Sequence, residues 1–266
     1  MNIVDGKVIA AEIKIAVKTA VVGLDRELRL GVVAYDPNFE TLAYLELKER
    51  IARTLGVVLE KRVALPETTT EDMLALITDL SATADGVLVQ LPLPAHIDTD
   101  AVLSAIPKAK DVDAFSYAGE ETDILPPVIG AIDEIARRHE VDFKGKRVVI
   151  FGAGRLVGMP ALAYATGKGA LVTVCDKDTT TVEQYTKEAD IIILGVGKPN
   201  LLTADMVKPG VVVFDAGASE DGGVLVGDAA PEVATKAALS TPVPGGIGPI
   251  TIALLFRNLL KLRERQ

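Results

Sequence analysis

The sequence predicts an α/β protein of two units, and three observations carry that reading. Stretches of helical periodicity alternate with short apolar, strand-like runs almost from end to end. Such alternation needs crossover connections, and crossovers join parallel strands. The chain has 266 residues, more than one compact domain ordinarily takes. The alternation also breaks once, over residues 116–127, where Gly119 and the pair Pro126 and Pro127 interrupt it.

Taken in order, residues 7–22 carry a helical pattern and 29–35 read as a short buried strand. A helix is expected over 41–55, a strand over 57–64, a helix over 71–84 and a strand over 86–90. Beyond the break a second series starts with a strand at 147–151, a glycine loop and a helix over 157–167. Strands follow at 171–175, 190–194 and 211–215, and the pattern at 251–262 closes the chain with apolar residues on one helical face. No internal repeat or low-complexity tract is present.

Composition narrows the function. Hydrophobic residues make up 49% and charged residues 24%, which supplies a core and argues against disorder. A formal charge of −9 argues against nonspecific nucleic-acid binding, because no basic surface is there to release phosphate counterions. The absence of tryptophan weakens the case for a base-stacking surface. A single cysteine, Cys175, excludes an internal disulfide and fits a reducing compartment. The N-terminus shows no charged segment followed by an apolar run and a small-residue cleavage site, so no signal peptide is expected. No apolar run approaches the ~18 residues that cross a bilayer. A cytoplasmic protein without membrane, nucleic-acid or metal partners is expected.

The second half carries a nucleotide-binding signal. Gly152, Ala153, Gly154, Arg155, Leu156, Val157 and Gly158 follow directly on the strand 147–151. Glycines allow a tight turn and close backbone approach to a pyrophosphate, whose charge then sits at the positive end of the next helix. The spacing is GxGxxxG, and the flanking strand and helix are what give it weight; a plain strand–helix turn is the alternative. Asp176 ends the next strand, where an acidic side chain ordinarily takes the ribose 2′-hydroxyl of NAD and repels the 2′-phosphate of NADP. Capping of the segment after it is the alternative, and Lys177 and Arg155 lie close enough in sequence to complicate the choice of cofactor. Gly195, Val196 and Gly197 follow the strand 190–194, as a cofactor contact or a simple turn. NAD or NADP is the expected cofactor, with NAD favoured.

Three segments of the first half bear on the substrate. Tyr44 and Lys48 stand four residues apart, on one helix face. Gln90 ends a strand and is followed by Leu91, Pro92, Leu93 and Pro94. Asp113 closes the run from Lys110 where a helical pattern stops. Singly, each also reads as a surface pair, a turn residue and a solvated charge.

Together they resemble the bifunctional methylenetetrahydrofolate dehydrogenase/cyclohydrolase family. The likeness continues through Val157, Gly158, Met159 and Pro160, then Gly227 and Asp228. It ends on the long string from Thr241 through Pro244, Gly245, Gly246, Ile247 and Gly248 to Thr251. The resemblance implies a folate-binding catalytic domain of residues 1–123 and 245–266, completed by the C-terminal helix. It implies a Rossmann-like domain of residues 124–244, and folate bound in the cleft between the two. It implies that Tyr44 stacks on the folate ring, that Asp113 accepts hydrogen bonds from the pterin, and that Lys48, oriented by Gln90, moves a proton. Leu91, Pro92, Pro244, Gly245 and Gly246 would line the folate site. The loop 152–158, Asp176, Lys177, Val196, Gly197 and Ile247 would hold the dinucleotide. The implied reaction is oxidation of 5,10-methylenetetrahydrofolate to the methenyl form with NAD(P), then hydrolysis to 10-formyltetrahydrofolate. A homodimer through the nucleotide domain is implied as well.

The sequence departs from the family pattern at several places. Ala153 and Gly154 stand where the family has Arg-Ser, and Asp176 and Lys177 where it has His-Ser; both changes run against an NADP preference. Ala114 replaces a glycine, the stretch 116–130 is short, and 36–44 is longer, with Thr41 for serine. An alternative is a related enzyme acting on methylene-tetrahydromethanopterin. The shikimate dehydrogenase type shares the two-domain plan, but the strings at 90–94 and 244–248 argue against it. Another alternative, of a different class, is a catalytically silent dinucleotide-binding protein.

Overall fold

The computed structural model describes residues 2–35 and 39–266. The chain starts with β1 (Asn2–Ile3), α1 (Gly6–Val22), β2 (Leu28–Tyr35), α2 (Phe39–Leu55) and β3 (Val57–Ala64). Next come α3 (Thr70–Thr83), β4 (Gly86–Gln90), α4 (Thr99–Ser104), α5 (Pro127–Arg138), β5 (Arg147–Phe151) and α6 (Gly158–Gly167). It continues through β6 (Leu171–Cys175), α7 (Val182–Glu188), β7 (Ile191–Leu194), β8 (Val212–Asp215), β9 (Ser219–Asp221) and β10 (Val224–Val226). It ends with β11 (Leu239–Ser240) and α8 (Ile247–Glu264). Two compact units result, one of residues 12–116 and 252–266, the other of residues 1–11 and 117–251.

The first unit holds a parallel sheet in the order β3-β2-β4. Its central strand is apolar without alternation because both faces are covered, and Leu30, Val32, Val33 and Ala34 are fully buried. Helix α3 starts on a capping box in which Thr69 and Asp72 satisfy each other's backbone N–H. Its buried residues Met73, Ile77 and Leu80 fall at helical spacing and pack with Val33, Val87 and Val89. The buried carboxylate of Asp85 accepts hydrogen bonds from the Arg26 guanidinium at 2.6 and 3.1 Å and from the Arg29 N–H at 2.8 Å. The charge of Asp85 is thereby paired where it is buried. Residue Asp111 pairs alongside Val87 of β4, and buried Asn258 on α8 donates to the Val112 carbonyl at 3.0 Å. These two bonds set the path of the chain into Asp113.

The second unit holds a six-stranded parallel sheet in the order β1-β11-β8-β7-β5-β6. From β5 the chain passes through α6 to β6 on one side, while β7 lies on the other side of β5. Their carboxyl ends therefore diverge at a topological switch point, where sheets of this kind bind ligands. Strands β9 and β10 form a separate antiparallel hairpin turned by Gly222 and Gly223.

Several elements go beyond the sequence expectations: β1, α4, α5, α7, the hairpin and β11. Helix α5 carries Pro127 in its first turn, a position without need of an N–H, and buries Ile129, Ile132 and Ile135. Helix α8 starts four residues before the expected 251, with Pro249 in its first turn. Because β1 pairs with β11, residues 1–11 join the six-stranded unit, and the units divide after 116 and 251. The resemblance implies divisions after 123 and 244.

Candidate active site

Helix α2 of the first unit places Tyr44 and Lys48 one turn apart. Tyr44 is 47% exposed, while Leu45 beside it is buried in the core. Lys48 is half-buried, and its Nζ donates to Gln90 Oε1 at 2.7 Å. Gln90 is the last residue of β4, and its own amide nitrogen donates to the Leu91 carbonyl at 2.9 Å. That second bond turns the amide oxygen toward Lys48. Burial lowers the Lys48 pKa because the ammonium loses hydration, while the charge of Asp113 pulls the other way.

Asp113 faces the same lysine. Burial pushes its carboxyl up to about 7; the Lys48 charge pulls it down and Asp111 adds to the rise. Asp111 shapes the turn that presents it, accepting from the backbone N–H of Asp113 at 3.1 Å and of Phe115 at 2.7 Å. Burial raises Asp111 to about 6. Ala114 in this turn has φ 51°, the left-handed region that glycine adopts without strain. The longer 36–44 stretch falls partly outside the described residues, at Asp36, Pro37 and Asn38.

The second unit supplies loops at the carboxyl ends of β5, β6 and β7. Gly152 has φ 80°, and its N–H donates to the Cys175 carbonyl at 2.7 Å, tying the loop to β6. A Cβ on Gly158 would lie 2.1 Å from the Gly152 carbonyl oxygen, so only glycine lets α6 start this close to the loop. A Cβ on Gly154 would meet nothing within 4 Å. Ala153, Gly154, Arg155 and Leu156 are exposed, and Val157 is buried. After β6, the exposed carboxylate of Asp176 accepts from the Asp178 N–H at 3.0 Å and the Thr179 hydroxyl at 2.9 Å. Those bonds hold its pKa below the usual carboxylate range. Asp176 thus caps the segment after it through one oxygen. Lys177 is exposed.

After β7, Val196 is 47% exposed and Gly197 has φ 74°. The N–H groups of Val196, Gly197 and Lys198 all donate to the buried Asp228 carboxylate, at 2.7, 3.2 and 2.7 Å. Pro244, Gly245, Gly246 and Ile247 belong to this same unit. The Gly245 carbonyl accepts from the Gly6 N–H at 2.9 Å, and Ile247 is buried.

The site residues read from the sequence therefore fall into two groups. The structure brings Lys48, Gln90 and Asp113 together, with Tyr44 one turn away and with Leu91 and Pro92, themselves joined by a cis peptide bond, directly after Gln90. The glycine loop, Asp176, Lys177, Val196, Gly197 and the 244–247 string form the other group, in the six-stranded unit. The sequence reading missed Asp111 and Asp215, and quoted Asp228 without a role. An aspartate two residues before Asp113 is a turn signal, so Asp111 was within reach; nothing local marks Asp215. Among the described residues no group of three His, Cys, Asp or Glu is placed to hold a metal. No described helix is long and apolar enough to cross a membrane.

Both groups fall within stretches that match known family models. Residues 4–113 match the family model "Tetrahydrofolate dehydrogenase/cyclohydrolase, catalytic domain" and residues 126–266 its "NAD(P)-binding domain". The "Bifunctional protein FolD" of Nautilia profundicola is 40% identical, over 98% of this chain and 96% of the relative. The crystal structure of the bifunctional FolD methylenetetrahydrofolate dehydrogenase/cyclohydrolase from Campylobacter jejuni superposes with a TM-score of 0.95 at 36% identity. That match covers 100% of this chain and 99% of the other. The Trypanosoma brucei enzyme, solved with NADP and an inhibitor, gives 0.92 at 29% identity, over 99% and 97% of the two chains. The two family models and the full-length likeness to these relatives lead to one conclusion: this chain belongs to the tetrahydrofolate dehydrogenase/cyclohydrolase family.

Proposed function

We propose that the protein oxidises 5,10-methylenetetrahydrofolate to 5,10-methenyltetrahydrofolate and hydrolyses that product to 10-formyltetrahydrofolate. The observation that carries the reading is the half-buried Lys48 amine held 2.7 Å from Gln90 Oε1 and facing Asp113. A silent dinucleotide-binding protein has no use for a buried amine with a lowered pKa beside a carboxylate.

The first unit binds the folate. Tyr44 offers an exposed flat ring for the pterin to stack on. Asp113 accepts from the paired N–H donors of the pterin, and such donors favour its ionised form. Leu91 and Pro92, next to Gln90, complete this unit's part of the folate site. Oxidation leaves a cationic methenyl bridge between N5 and N10, so the protein's part in that step is orientation of the reacting carbon. In hydrolysis, neutral Lys48 accepts a proton from the water that adds to the bridge carbon. Collapse of the adduct breaks the carbon–N5 bond: the adduct's hydroxyl gives up its proton to become the formyl carbonyl on N10, and N5 takes up a proton as it leaves. Gln90 keeps the amine aimed without adding a charge, and so leaves its pKa low.

The second unit binds the dinucleotide, which supplies the hydride acceptor when bound. The left-handed Gly152, the open space at Gly154 and the exposed 153–156 backbone at the start of α6 fit a pyrophosphate. Val196, Gly197 and Ile247 complete that site. NAD is preferred to NADP. The ionised Asp176 carboxylate accepts from a ribose 2′-hydroxyl and repels a 2′-phosphate, and Ala153 and Gly154 offer no side chain to hold one. The same reading makes the protein a cytoplasmic homodimer, joined through the nucleotide unit.

The test is methenyl absorbance from purified protein given methylenetetrahydrofolate with NAD or with NADP. Production with both, and a higher kcat/KM for NAD, is the expected result. No methenyl product with either cofactor overturns the activity; a preference for NADP shows that Arg155 or Lys177 outweighs Asp176.

A further inference from the structure

Two buried carboxylates in the six-stranded unit have no part in the reaction above. Asp228 is fully buried and Asp215 is 3% exposed. Carboxyl groups this deep persist only where hydrogen bonds replace their hydration. Asp228 takes the N–H groups of Val196, Gly197 and Lys198. Asp215 takes those of Gly217 at 2.9 Å, Asp228 at 3.2 Å and Ala229 at 2.8 Å. Its own N–H donates to the Thr241 hydroxyl at 2.7 Å.

Glycines make room for both. A Cβ on Gly217 would lie 2.2 Å from the Asp228 carboxylate, and one on Gly227 would lie 2.2 Å from that of Asp215. The two form a relay: Asp215 fixes the backbone at 228 and 229, which aims Asp228, which fixes the loop after β7. That loop borders the switch point. A Cβ on Gly152 would lie 3.2 Å from a methyl of Val196, so the loop abuts the glycine loop itself. Because its three N–H groups are turned inward, the loop presents the exposed Val196 side chain rather than donors for an anion.

We infer that Asp228, braced by Asp215, is a positioning residue that fixes the Val196–Lys198 loop against the sugar and ring portion of the dinucleotide, away from its phosphates. The inference rests on the reading that the second unit binds NAD(P). Asp228→Asn keeps the shape but exchanges one acceptor oxygen for an amino group, which faces backbone N–H groups it cannot accept from.

The experiment measures NADH affinity by fluorescence, amide hydrogen exchange at residues 196–198 without ligand, and steady-state kinetics, in wild type, Asp228→Asn and Asp215→Asn. In Asp228→Asn, a tenfold or greater rise in NADH Kd and NAD KM is expected, with faster exchange at 196–198. The kcat at saturating NAD should stay within threefold and the melting temperature near wild type. Asp215→Asn should show the same pattern more weakly, threefold or more. A folded Asp228→Asn with NADH Kd within twofold of wild type overturns the inference. So does a uniform fall in kcat for a protein whose cofactor affinity is unchanged. If Asp228→Asn does not fold, Asp215→Asn decides by the same criteria. Wild-type protein that binds no dinucleotide sinks the reading of the second unit, and this inference with it.

Discussion

In the three-stranded unit the proposed chemistry rests on side chains that burial has left with shifted pKa values: Lys48 lowered, Asp113 raised to about 7 and Asp111 raised to about 6. In the six-stranded unit it rests on backbone: glycines that permit close approach, and amides held by Asp228. The difference follows the two tasks. Proton transfer needs a group whose two charge states lie close in energy, and desolvation brings them together. Holding a dinucleotide needs a fixed shape, which a backbone with satisfied N–H groups supplies without titrating. The Lys48 site should therefore be sensitive to changes of charge at constant shape, and the glycine loop of the second unit to changes of shape at constant charge.

The sharpest test is Lys48→Met, which keeps an unbranched apolar stem one atom shorter than lysine and removes the amine. Hydrolysis of the methenyl substrate should fall by about a hundredfold to ten-thousandfold, the usual worth of a general base. NADH affinity should not change. Decay of methenyl absorbance measures it, and full hydrolysis by a folded variant removes Lys48 from the mechanism.

In the other unit, Gly158→Ala adds a Cβ 2.1 Å from the Gly152 carbonyl. Such overpacking costs about 1–3 kcal/mol, and moving the loop should weaken NADH binding while the Lys48–Gln90 pair is untouched. Urea unfolding and NADH titration read the two effects. Unchanged values for both would show that the loop yields freely.

The Gln90→Glu variant tests the charge side of the comparison through pH. Hydrolysis needs the neutral amine, so the rate rises with pH through the Lys48 pKa. A carboxylate in place of the amide favours the ammonium, so the rising limb should move to higher pH by about one unit or more. A limb that stays put would mean that another group governs the profile.

The smallest expected effect belongs to Ala114→Gly. A left-handed alanine is strained by roughly 1–2 kcal/mol, offset in part by the roughly 0.4–1 kcal/mol that glycine adds to unfolded-chain entropy. A net gain of about 0.5–1 kcal/mol should appear as a higher urea midpoint. A loss instead would show that the turn at 111–115 depends on the methyl group.

Much of the fold is legible without coordinates. Strands expected at 57–64, 86–90, 147–151 and 171–175 coincide with β3, β4, β5 and β6. The runs at 86–90 and 147–151 are apolar and largely buried, those at 57–64 and 171–175 more exposed, and all four are closed off by glycine, proline or charge. Helix α5 escaped because its apolar stripe starts directly behind Pro126 and Pro127, which locally read as a breaker. Strands β1 and β11 are two residues long, too short to hold any period.

At the site, residue types and order along the chain were determined by the sequence alone: a lysine on a helix, a glutamine ending a strand, a carboxylate beyond it, glycines after β5. Their meeting was not. Lys48 and Gln90 stand 42 positions apart, and the parallel pairing of β2 with β4 is what brings the end of β4 under α2. Asp215 and Asp228 likewise became partners only when the strand end and the following loop closed on one another. Local sequence carries periodicity and turn chemistry because these act between near neighbours. Burial, and the charge shifts it causes, belongs to the packed chain.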